Sequence, residues 1–248
     1  MEGEPVDGSG ILYGRRLGIH FAILPSRAYT PVMAGEFSDR SAAGRLLAEE
    51  LLRSGEDLTG AVVLALARGG VPVGAAVAAE LGLPLEVAVV RKLGFPSFPE
   101  VAMGAIGEDG VRVLDEDLVR RMGVTDAELA EVEHAERDVL AARASRYRNA
   151  AGGPRDLSGR IVLIVDDGVA TGATAEAACR VARRRGADRV IVASPVCGAD
   201  AESWVPSADR MIGVLRPPAY RAVGDHYRRF EQVGDDEVMA LIRAFPAP

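Results

Sequence analysis

Residues 161–174, IVLIVDDGVATGAT, run five apolar side chains into two adjacent carboxylates and then a glycine-threonine loop. Gly168 and Gly172 carry no side chain, so backbone N–H groups there can approach an anion closely. Thr171 and Thr174 add hydroxyl donors, and Val169, Ala170 and Ala173 leave the loop small. A helix starting at the same place directs its positive end at the loop. This is a phosphate cradle, and it has neither the lysine and spacing of GxxxxGK[ST] nor the form GxGxxG. Asp166 and Asp167 would repel a phosphate, so they must face neutral donors or a cation. Vicinal ribose hydroxyls are such donors and Mg²⁺ is such a cation. A ligand with a ribose diol a few bonds from a 5-phosphate satisfies both halves of the string.

Two further loops carry charge or glycine where a strand should end. ALARGGVPVG, residues 65–74, offers Arg68 beside Gly69 and Gly70, a cation with a close backbone approach to an anion. RKLGFPSFPE, residues 91–100, offers Arg91 and Lys92 at a strand end, followed by a glycine and two prolines that forbid regular structure. Lys92 is the single lysine among 29 basic residues, which marks it for a specific role.

These loops need elements to hold them. DRSAAGRLLAEELLRSG, beginning at residue 39, has helical spacing and a glycine stop. The apolar runs 61–67, 85–90, 161–165 and 189–196 have strand length and are apolar throughout. Between them PVGAAVAAELG and residues 172–185 read as helices, residues 102–116 as a hairpin turning at Glu108-Asp109-Gly110, and residues 125–147 as a long helix with a Thr125/Glu128 capping box. Strands that are apolar along their length and alternate with helices describe an α/β fold, a parallel sheet flanked by helices. Ligands of such sheets gather beyond the carboxyl ends of the strands, so the three loops should share one crevice.

Composition narrows the partners. A formal net charge of −7 argues against bulk electrostatic binding to nucleic acid or an anionic membrane, so an anionic ligand needs local cations. The longest apolar tract is broken by Pro72, Glu80, Pro84 and Glu86 and reads as helix plus strand rather than a membrane span. Cys179 and Cys197 form no zinc or disulfide pattern, nothing at the amino terminus reads as a signal peptide, and the expected location is cytoplasmic. Residues 1–34 lack clean periodicity and read as a flexible extension ahead of one domain over 35–248. Arg183-Arg184-Arg185 falls in a helix's last turn, where it complements the dipole.

VLIVDDGVATGAT resembles the phosphoribosyl pyrophosphate (PRPP) motif of the type I phosphoribosyltransferases, and ARGG and RKLGFPSFPEVAMGAI precede it in the order those enzymes show. The resemblance implies a Rossmann-like sheet with a small variable hood, here residues 112–147 and 197–248. It implies a pentosyltransferase that moves ribose 5-phosphate from PRPP to a small nitrogenous base with Mg²⁺ as cofactor. Asp166 and Asp167 would hold the ribose hydroxyls, directly or around the metal. Residues 168–174 would hold the 5-phosphate, and Arg68, Gly69 and Gly70 the pyrophosphate. Arg91 and Lys92 would meet the departing pyrophosphate from a mobile loop that Glu100 steadies. Tyr220, His226, Tyr227 and Phe230 are candidates to stack on the base, two or three of them as packing instead. The long polar helix at 125–147 departs from the purine and orotate enzymes and leaves the acceptor unnamed; a homodimer is also left open. Two other readings stand: a catalytically silent PRPP- or nucleotide-binding regulator, and a nucleotide phosphohydrolase lacking an identifiable water-activating base.

Overall fold

The computed structural model describes residues 12–16, 19–23, 36–99, 101–218 and 220–245. They fall into two compact units, Met1–Gly35 and Glu36–Pro248. In the first, β1 (Leu12–Arg16) pairs antiparallel with β2 (Ile19–Ile23). Strands of five residues are too short to register as a period, and cross-strand hydrogen bonds hold them instead. The rest of the expected extension lies outside the described residues, as does Glu100.

The second unit begins with α1 (Arg40–Arg53), capped by the Asp39 carboxylate, which accepts from the Ala42 amide at 2.8 Å. β3 (Val62–Ala67) follows, then α2 (Gly70–Leu81), stopped by Gly82 in the left-handed region. β4 (Leu85–Gly94) leads into β5 (Ala102–Gly107) and β6 (Arg112–Leu114). Asp109 and Gly110 both take positive φ, which fits the expected hairpin turn. α3 (Glu116–Arg121) precedes α4 (Asp126–Ala151), whose Thr125/Glu128 capping box is formed; α4 runs one turn past the expected end. β7 (Ile161–Val165), α5 (Ala173–Arg184) and β8 (Arg189–Val196) follow as read from the sequence, and β9 (Arg210–Leu215) and α6 (Asp235–Arg243) complete the chain.

The sheet order is β6-β5-β4-β3-β7-β8-β9. The five strands from β4 to β9 in that order run parallel, and β5 and β6 fold back antiparallel at one edge. Alternate residues of each parallel strand feed two cores. Val63, Ala65 and Val89 pack with α1, α2, α4 and α6 on one face, while Val62, Leu64 and Val90 pack with α5 on the other. This is the expected α/β class, a parallel sheet with helices on both faces.

One boundary differs in a way that matters for the site. β4 does not stop at Val90 but runs on through Arg91, Lys92 and Leu93 to Gly94. The reason is β5, which pairs Arg91 with Ile106 and Lys92 with Ala105 and keeps the chain extended until Pro96 and Pro99 interrupt it. β9 and α6 escape the sequence reading because each is short.

α6 is anchored by Tyr147 of α4, whose hydroxyl donates to Asp235 Oδ1 at 2.5 Å. Arg143 and Arg146 flank the same carboxylate at 3.4 and 3.7 Å. Tyr147→Phe is expected to cost about 1.5 kcal/mol, the low end for a hydrogen bond to a charged group because the arginines remain. Thermal unfolding should shift down by roughly 3–6 °C; an unchanged midpoint would deny the bond its anchoring role.

Candidate functional site

β3 continues through α2 to β4 on one side, whereas β7 continues through α5 to β8 on the other. The winding direction therefore reverses between β3 and β7, and a crevice opens beyond their carboxyl ends. The loops after these two strands are ARGG and DDGVATGAT.

They touch. A Cβ on Gly69 would stand 2.1 Å from Asp167 Oδ2, and one on Gly70 would stand 2.5 Å from the Val165 carbonyl and 3.1 Å from Asp166 Oδ1. Only glycine permits this approach. Arg68, part-buried, reaches to 4.0 Å from Asp235 at the start of α6.

The cradle is formed by the turn from β7 into α5. Gly172 caps α5 at φ 75°, so the first-turn amides of Ala173 and Thr174 point out of the helix end. Ala170 and Thr171 are exposed at the crevice. Val169 plays a different part: it is buried, its amide donates to Val196 O at 2.9 Å, and its carbonyl accepts from Gly198. Its amide is committed to the sheet and braces the loop from behind.

The two carboxylates are held differently. Asp167 Oδ2 accepts from Arg40 Nε at 2.8 Å, both side chains being nearly buried. The Asp167 amide donates to Asp166 Oδ1 at 2.9 Å, and the Tyr227 hydroxyl donates to the Asp167 carbonyl at 2.6 Å. Among the described residues the Asp166 carboxylate has no cationic hydrogen-bond partner. Burial first, and then the neighbouring Asp167 charge, push the Asp166 carboxyl well above the usual carboxylate range. For Asp167 burial also raises the value, and Arg40 opposes it. Asp166 is thus the acid in want of donors.

The two cations read as opening the third loop lie instead inside a strand. Arg91 lies within β4, and its Nε donates to Glu136 of α4 at 2.6 Å. Lys92, next along the pleat, is exposed on the face that α5 covers. The irregular stretch begins only after Gly94, where a Cβ would meet the Pro99 carbonyl at 2.3 Å.

Above the cradle lies a cleft of about 1070 Å³. Ala170, Thr171 and Ala173 line it, together with residues of α3, β5 and β6 and with residues 198–201, Trp204, Pro218, Tyr220 and Arg221. Both segments read as hood contribute to it. Of the four stacking candidates only Tyr220 lines it. Tyr227 and Phe230 pack in a row with Phe37, ring centroids 5.0 to 5.4 Å apart. The Tyr220 hydroxyl is buried without a hydrogen-bond partner among the described residues, an arrangement that costs about 1–3 kcal/mol unless a ligand or water completes it. Arg183, Arg184 and Arg185 bind carbonyls around the end of α5 and so are spent within the fold. Arg40 and Trp204 were not legible as site residues; the one hint for Arg40 is a cation in the first turn of a helix.

Fold and loops define a class: a parallel-sheet α/β domain with a Gly/Thr anion loop and an acid pair at its switch point. The Phosphoribosyl transferase domain family matches residues 36–236, and the chain belongs to that family. Curated relatives from two strains of Mycobacterium tuberculosis, each named "Putative phosphoribosyl transferase", are 49% identical over 211 residues, 83% of this chain and 46% of theirs. The chain therefore spans about half the length of the curated relatives it matches. The crystal structure of TT1426 from Thermus thermophilus is 41% identical, covers 86% of this chain and 100% of its own, and superposes with a TM-score of 0.70.

Proposed function

We propose that this chain transfers the ribose 5-phosphate of PRPP to a nitrogenous base with release of pyrophosphate. The observation that carries the reading is the contact between the RGG turn and the acid pair, set beside the α5 amino terminus at the one switch point of the sheet. The amides of residues 170–174 and the hydroxyls of Thr171 and Thr174 hold the 5-phosphate. Asp166 accepts from the ribose diol. The backbone of Gly69 and Gly70, with Arg68, takes the pyrophosphate. The base enters the cleft against Tyr220. Catalysis is positioning and charge stabilisation, with no protein nucleophile.

The donor set suits Mg²⁺ arriving with substrate. No group of three His, Cys, Asp or Glu side chains able to hold a metal exists among the described residues. Mg²⁺ typically takes one or two carboxylates, substrate phosphates and several waters. Asp166 fits as such a carboxylate, with Asp167 already engaged by Arg40. When bound, the ion neutralises charge on the leaving pyrophosphate. Cytoplasmic residence belongs to the same proposal, supported by two buried free cysteines. No described helix is long and apolar enough to cross a membrane.

A specific observation favours a second reading, a PRPP- or nucleotide-binding regulator without turnover: the Arg91 cation is already paired with Glu136 of α4. The test is pyrophosphate release from PRPP with Mg²⁺ across a panel of bases. Base-dependent release supports the transferase. Binding without turnover on any base supports the regulator, and release without a base the hydrolase. Under the transferase reading Lys92→Ala is expected to slow turnover more than it weakens PRPP binding; equal loss in both would remove its transition-state role.

A further inference from the structure

Arg40 stands where helix physics disfavours it. It is the first residue of α1, and no acidic residue shares that turn. A cation there faces the positive end of the helix dipole, at a cost of about 0.3–1 kcal/mol. It is also 11% exposed, so the charge has been taken out of water. Breaking a local rule at a buried position points to a task outside the helix.

The surroundings over-determine its position. Arg40 Nε donates to Asp167 Oδ2 at 2.8 Å, and Nη1 donates to the Glu231 carbonyl at 2.8 Å. The guanidinium carbon sits 3.8 Å from the Phe230 ring centroid. Phe230 stacks on Tyr227, and Tyr227 holds the Asp167 carbonyl. The backbone of this segment is stitched to the chain before α1, Phe37 N donating to His226 O at 2.7 Å and Arg228 N to Phe37 O at 2.8 Å. Two distant parts of the chain thus form a clasp behind the acid pair. It fixes Asp167 through its carboxylate and its carbonyl. Asp167 in turn fixes Asp166 through the amide bond to Oδ1.

We propose that Arg40 is a positioning residue that engages and anchors the Asp167 carboxylate, so that Asp166 is the acid left to the sugar diol. This rests on the reading that the acid pair recognises a ribose phosphate. Without Arg40 the Asp167 carboxylate would lose the partner that holds it, and two neighbouring carboxylates would be free to compete for the same space. A planar fork reaching a carboxylate and a carbonyl at once is a task for arginine; lysine supplies the charge but only one donor centre.

The experiment is calorimetric titration of the full chain with ribose 5-phosphate, 2-deoxyribose 5-phosphate and inorganic phosphate. The wild type is expected to prefer ribose 5-phosphate over its deoxy analogue. Arg40→Ala should weaken ribose 5-phosphate on the order of tenfold, the worth of about one charge-assisted hydrogen bond. It should erase most of the preference over the deoxy sugar and leave inorganic phosphate unchanged, and added ethylguanidinium should restore the preference. Loss of affinity for all three probes alike would mean general damage, and retained preference would mean Arg40 does not position the acid; either overturns the inference. Should Arg40→Ala fail to fold, Arg40→Lys decides by the same ratio: a reduced preference with phosphate binding kept supports the inference, and an unchanged preference sinks it. A wild type that binds no ribose phosphate overturns the functional reading itself, a separate failure from that of Arg40.

Discussion

Asp166→Asn is expected to weaken PRPP binding on the order of a hundredfold, about 3 kcal/mol, while leaving the fold intact. Asparagine has nearly the same volume, and its Oδ1 keeps the hydrogen bond from the Asp167 amide that Asp166 makes at 2.9 Å. The Arg40–Asp167 pair is untouched. What is lost is the charged acceptor for the diol. Stability should respond in the opposite direction. A carboxyl whose folded value is raised contributes stability that is present below its unfolded value and is lost as pH rises through the folded value. Asp166 is such a group. Above that window the wild type bears an unfavourable buried charge that the variant lacks, so there the variant should unfold at an equal or higher temperature. Unchanged affinity in calorimetry would remove Asp166 from the site; a markedly lower midpoint with binding intact would recast it as structural.

The second large effect belongs to Gly70. Its substitution by alanine places a methyl group 2.5 Å from the Val165 carbonyl and 2.9 Å from the Asp166 Cα. Both are backbone atoms at the end of β7 and cannot swing aside as a side chain would. Overpacking of this kind costs about 1–3 kcal/mol, or roughly 2–12 °C in a chain of this size. Relief requires the two loops to part, so PRPP affinity should fall as well. Gly69→Ala collides instead with the Asp167 carboxylate, which Arg40 already holds, and should damage binding more than stability. Gly82→Ala is the matched control. Its left-handed backbone makes alanine unfavourable by about 1 kcal/mol, yet nothing lies within 4 Å of the added methyl and the site is remote. Equal losses of binding in Gly70→Ala and Gly82→Ala would show that the loop contact does not matter to the ligand.

Much of this was legible in residue order. Strands such as VVLALA and IVLIV are apolar end to end because both faces of the sheet are covered, and that pattern survives without knowledge of the partners. The cradle was legible because glycine, threonine and a following helix are local features. Arg91 was misread because strand pairing is not local. Only the β5 partner extends β4 through Arg91 to Gly94, and only α4 supplies Glu136. Arg40 was invisible for the same reason: 127 positions separate it from Asp167. Tyr227 and Phe230 look from the sequence like Tyr220, and the fold alone separates the two that pack from the one that faces the cleft.

The most direct measurement is a crystal structure of the chain with ribose 5-phosphate and Mg²⁺. The phosphate is expected against the amides of residues 170–174, with the vicinal hydroxyls within hydrogen-bonding reach of Asp166 and the Arg40–Asp167 pair still closed. A phosphate bound elsewhere, or a sugar whose hydroxyls turn from Asp166, would contradict the account.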